Sequence, residues 1–66
     1  MQELKNVIDE VLYGTMFSIK SLYYDWYKKG IILVISRVDK TYYLNFLIKE
    51  NTTYQELIED IKRKIK

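Results

Sequence analysis

Thr15-Met16-Phe17-Ser18-Ile19-Lys20-Ser21-Leu22-Tyr23-Tyr24-Asp25-Trp26-Tyr27-Lys28-Lys29 decides the fold. As a helix, this stretch gathers Ser18, Ser21, Asp25 and Lys28 into one polar stripe and leaves Gly30 as a C-cap. As a strand, Phe17-Ser18-Ile19-Lys20 alternates, and Tyr23, Tyr24, Trp26 and Tyr27 favour sheet. Lys29-Gly30 is then a hairpin turn that sets Trp26 against Leu33 and Tyr24 against Ile35. Leu22, Tyr24 and Trp26 then join one apolar face, and this agreement favours the strand.

The following residues supply the rest of that face. Ile31-Ile32-Leu33-Val34-Ile35 is rich in β-branched side chains, which suit strands. Strands are expected over residues 31–38 and 41–49, joined by a two-residue turn at Asp39-Lys40. Leu33 then opposes Phe46, and Ile35 opposes Leu44. Side chains alternate along a strand, so Ile31, Leu33, Ile35, Leu44, Phe46 and Ile48 share a face.

Helices are expected at both ends. Over residues 2–12, Leu4, Val7, Ile8, Val11 and Leu12 recur at helical spacing, and Gly14 suits the C-terminal cap. Over residues 53–65, Tyr54, Leu57, Ile58, Ile61 and Ile65 line one side. Thr53 and Glu56 have capping-box spacing, with Thr52 a competing cap. Acidic residues precede basic ones, which complements the helix dipole. Glu59–Arg63 and Asp60–Lys64 are spaced as i, i+4 ion pairs.

The expected fold is therefore α+β with the order α-β-β-β-α. Its three-stranded antiparallel meander carries both helices on one face, in a single domain spanning residues 1–66. The alternative is α-α-β-β-α. The first order resembles the double-stranded RNA-binding domain in topology. That family's Gly-Pro-x-His-type loop and Lys-Lys-x-Ala-Lys helix start are absent, so the likeness is one of element order and carries no function.

The 66 residues contain no Cys, His, Pro or Ala and only two Gly. These absences exclude zinc sites built on Cys or His, imidazole bases and thiolate nucleophiles. Two isolated Gly make neither a P-loop nor a dinucleotide fingerprint. Asp9–Glu10 and Glu59–Asp60 are adjacent carboxylates, but neighbours on a helix point about 100° apart and do not share a site. The sequence therefore predicts no enzyme, no metal and no cofactor. No basic and apolar leader opens the chain, and the longest apolar run, Ile31 to Ile35, is too short to span a membrane. The expected location is cytoplasmic, without membrane attachment. Nine Ile, nine Lys and seven Tyr stand against two Arg and no Ala. That bias points to an AT-rich gene and suits a phage- or plasmid-borne protein.

Two candidate surfaces remain. The second sheet face is expected to carry Tyr23, Tyr27, Ile32, Val34, Tyr43 and Leu47, which the helices cannot also cover. Tyrosine combines an apolar ring with a polar hydroxyl and is enriched at protein interfaces. This face predicts binding of another protein and homodimerisation. The second surface is basic: Lys28 and Lys29 beside Trp26 and Tyr27, with Lys62, Arg63 and Lys64 near the C-terminus. It is the alternative reading, a small nucleic-acid-binding protein that stacks bases and contacts phosphates. The net charge of +2 is modest for that role.

Overall fold

The computed structural model describes residues 2–65. Its elements are α1 (Gln2–Leu12), β1 (Phe17–Asp25), β2 (Gly30–Arg37), β3 (Tyr43–Lys49) and α2 (Tyr54–Lys64). The decisive stretch is a strand, and the architecture is α-β-β-β-α. The sheet is an antiparallel meander in the order β1-β2-β3.

The core forms where three apolar stripes meet. Leu4, Ile8 and Leu12 come from α1, Leu57 and Ile61 from α2, and Leu33, Ile35, Phe46 and Ile48 from one face of the sheet. Ile8, Leu33, Ile35 and Ile61 are fully buried. Phe17, Ile19, Leu22, Ile31 and Leu44 extend the core at its margins. Both helices thus pack on one face, as the alternation of the strands requires. Among the described residues, no polar or charged side chain is buried.

The helix ends follow their cap chemistry. Gly14 has φ +80, the left-handed region that glycine occupies most readily after a helix. The Thr15 N–H and hydroxyl both donate to the Leu12 carbonyl, at 3.0 and 2.6 Å. Thr53 is the cap of α2, its Oγ1 accepting from the Glu56 N–H at 3.2 Å. Thr52 has a different role. Its Oγ1 accepts from the Lys49 N–H, and its own N–H donates to the Lys49 carbonyl. In α2, Arg63 pairs with Asp60 rather than with Glu59.

The β2–β3 register is the expected one, with Leu33 opposite Phe46 and Ile35 opposite Leu44. The connection is wider than two residues, however. Arg37 N–H still donates to the Tyr42 carbonyl, but Val38 N–H donates to Met16 instead. Neither Asp39 nor Lys40 is a glycine, and a tight two-residue turn demands positive φ at its first central position or at both.

The β1–β2 hairpin departs further. Its turn is Trp26–Lys29, not Lys29-Gly30, and Gly30 begins β2 opposite Asp25. Asp25 Oδ1 accepts from the N–H groups of Tyr27 (2.9 Å) and Lys28 (3.1 Å), and Lys29 takes φ +52. Leu22 therefore pairs with Leu33, and Tyr24 with Ile31. The displacement is an even number of residues, so Leu22 and Tyr24 keep their expected face. Trp26 leaves the sheet altogether.

A bulge at Lys20 keeps β1 in phase. Ile19 pairs with Ile35 but Ser21 with Val34, so the register shifts between them. Phe17 and Ile19 are three residues out of step with Leu22 and Tyr24. Without one extra residue, one of these pairs faces solvent. The bulge absorbs that residue, as bulges in antiparallel pairs do.

Two changes test this account. At Gly30, a Cβ atom lies 2.9 Å from the Ile48 carbonyl oxygen, a backbone atom that cannot step aside. Gly30→Ala is expected to lower unfolding free energy by about 1–3 kcal/mol, measured by urea denaturation. Deletion of Lys20 restores strict alternation through β1. It is expected to leave the circular dichroism spectrum unchanged and stability within about 1 kcal/mol, whereas a bulge essential to the fold predicts unfolding.

Candidate functional site

The sheet face away from the helices is built from cross-strand rows. Tyr23, Ile32 and Leu47 form one row, Ser21, Val34 and Asn45 the next, and Ser18, Ser36 and Tyr43 the third. Five of the six residues expected on this face are therefore together: Tyr23, Ile32, Val34, Tyr43 and Leu47. Ile32 is only 8% exposed although no helix covers it. It lies at the floor of a shallow depression with Tyr23, Lys28, Asn45 and Leu47. Tyr23, Tyr43 and Leu47 stay 41–50% exposed around it. Cross-strand aromatic and β-branched neighbours of this kind stabilise a sheet by about 0.2–1 kcal/mol per pair.

Tyr27 does not lie on this face. It occupies the β1–β2 turn and is 100% exposed. Trp26, expected on the core face, sits beside it and is 80% exposed. Both follow from the turn chemistry at Asp25, which ends the ladder before these residues can pair. The indole packs edge-on against Tyr24, with ring centroids 4.7 Å apart. Trp26 and Tyr27 thus project from a turn held by the Asp25 carboxylate.

The basic residues divide into two groups. Lys28 and Lys29 are in the same turn as Trp26 and Tyr27. Lys62, Arg63 and Lys64 fill the last turn of α2. Lys29 borders a depression shared with Thr53 and Tyr54 at the start of α2. Lys28 borders a depression that includes Phe46 and Leu47, and Arg63 borders a groove that includes the same two residues. Arg63 is ion-paired with Asp60, and Lys64 Nζ lies 5.2 Å from the centre of the Phe46 ring. The two groups stand on different elements, the β1–β2 turn and the last turn of α2.

Among the described residues, no group of three or more His, Cys, Asp or Glu gathers as metal ligands would, and no helix is long and apolar enough to cross a membrane. The surfaces offer apolar contact, aromatic edges and faces, tyrosine hydroxyls and lysine ammonium groups. Comparison with protein-family models, with curated proteins and with solved structures finds no match.

Trp26 is the single tryptophan, so its fluorescence reports the turn directly. Its emission is expected to be that of a hydrated indole, quenched efficiently by acrylamide. Trp26→Ala is expected to change stability by no more than about 0.5 kcal/mol. A shielded indole or a large loss of stability contradicts the exposed placement.

Proposed function

We propose that the chain is a non-enzymatic protein-binding module, acting in the cytoplasm as a phage- or plasmid-encoded inhibitor or regulator of a host protein. The observation that carries this reading is the exposure of Trp26 and Tyr27 on a turn held by Asp25. Neither ring contributes to the core of a chain that has little core to spare. Trp and Tyr dominate the energetics of protein interfaces because they desolvate a large, stiff surface on contact. The open face, with Tyr23, Ile32, Val34, Tyr43 and Leu47, offers a second apolar surface. Lys28 borders its depression and links it to the turn.

The nucleic-acid reading draws on Lys28 and Lys29, which flank the same two aromatic rings. Stacking plus phosphate contact is the chemistry of single-strand binding. The ion pair of Arg63 with Asp60 and the net charge of only +2 support the protein reading instead, since a polyanion is held best by a continuous basic track.

Affinity capture from a host lysate, with and without nuclease, separates the two. The expected result is a protein that survives nuclease and is lost with Trp26→Ala/Tyr27→Ala or with Tyr43→Asp. Loss of a central aromatic anchor typically costs about 2 kcal/mol, roughly 30-fold in Kd. Recovery that vanishes with nuclease, or affinity that falls steeply with salt, overturns the protein reading. Capture undiminished in both variants removes these surfaces from the contact.

A further inference from the structure

The two edges of the sheet are not equivalent. Arg37 N–H donates to the Tyr42 carbonyl at 3.0 Å. Antiparallel ladders alternate, so the peptide groups of Leu44, Phe46 and Ile48 face β2, and those of Tyr43, Asn45 and Leu47 face away. Lys49, the next in the outward set, bonds to Thr52 through both its N–H and its carbonyl. Its peptide groups thus point where the alternation requires. β3 pairs with β2 in unbroken register over all seven residues. The other edge, β1, is broken by the bulge beside Lys20. Bulges and lysines are devices that stop an edge strand from pairing. β3 has no bulge, and its single lysine, Lys49, stands at its last position with its peptide groups already bonded to Thr52.

We infer that β3 is the surface on which a second copy of this chain docks, antiparallel, about a two-fold axis at Asn45. Three features of this edge select that occupant. First, a two-fold contact must be complementary to itself. Pairing about Asn45 sets Tyr43 of each copy beside Leu47 of the other and Asn45 beside Asn45. Every pair is aromatic with aliphatic or amide with amide, and no like charges oppose. Second, it uses all three outward residues, for ~6 hydrogen bonds. Third, a groove beside this edge is lined by Leu47 and by Glu56, Glu59, Asp60 and Arg63 of α2. A two-fold operation sets the two α2 helices antiparallel. The acidic start of each then faces the basic end of the other, since Glu56 stands in the first turn and Lys62, Arg63 and Lys64 in the last.

The pairing joins two three-stranded sheets into one of six strands. The sequence reading placed self-association on the open face. The edge geometry moves it to β3, where Tyr43, Asn45 and Leu47 of the open face border the contact, and the Trp26 turn stays free for another protein.

The test uses the pure chain in sedimentation velocity, where a dimer of twice the 8.1 kDa chain mass is expected. Asn45 is exposed, and its peptide group takes no part in the β2 ladder. Asn45→Lys puts like charges at the axis and is expected to raise the dimer Kd by about tenfold or more, with unchanged thermal unfolding. Asn45→Asp is expected to do the same. Mixing the two variants is expected to restore a dimer, because Lys then opposes Asp. A monomeric wild-type chain overturns the inference, as does an Asn45→Lys variant that still dimerises. Dimer loss without rescue on mixing overturns the axis at Asn45. Because no partner is present, these outcomes are read apart from those of lysate capture.

Discussion

With 66 residues and two helices of eleven residues each, this chain can cover only one face of its sheet. A domain of this size buries only roughly 60% of its unfolded surface. The helices must therefore sit on the same face, and each strand must turn its best apolar residues toward them. Disulfides and Cys or His metal sites, which commonly reinforce small domains, have no ligands here. Packing has to supply the stability, and the buried core is accordingly free of polar side chains among the described residues. That constraint explains the bulge at Lys20. β1 carries two apolar pairs, Phe17 with Ile19 and Leu22 with Tyr24, that are out of phase by one. Only an extra residue between them lets both serve the single covered face.

The elements that period and cap chemistry specify were legible in the sequence. The Leu4, Ile8, Leu12 stripe, the Gly14 turn, the Thr53 cap and the β2–β3 register all follow from local patterns. The β1–β2 turn did not, because two features compete there. Lys29-Gly30 looks like a tight turn by composition, but Asp25 can accept from two successive backbone N–H groups and ends the strand earlier. That local bond, with Lys29 in the left-handed region, moves the turn toward the N-terminus. Trp26 is displaced with it, from the expected core face to solvent. The bulge left a sign in the sequence, the three-residue step from Ile19 to Leu22, which strict alternation cannot accommodate.

The surfaces were legible to a lesser degree. Face membership depends only on parity, so Tyr23, Ile32, Val34, Tyr43 and Leu47 were placed correctly despite a displaced β1. Tyr27 was not, since parity ceases to apply past the end of a strand. Which edge is smooth and which is broken depends on pairing geometry. Composition alone cannot distinguish Asn45 on β3 from Ser21 on β1.

Under the proposed pairing of β3 edges, the bulge at Lys20 would also limit how far assembly extends. A subunit with two smooth edges has two valences, and stacking edge on edge then continues without limit into a fibril-like sheet. A subunit with one smooth edge has a single valence, so growth stops when the first contact forms. The residue that brings β1 into phase with the core also breaks the outer margin of the sheet, so closure of the proposed assembly would come as a by-product of packing a very small core.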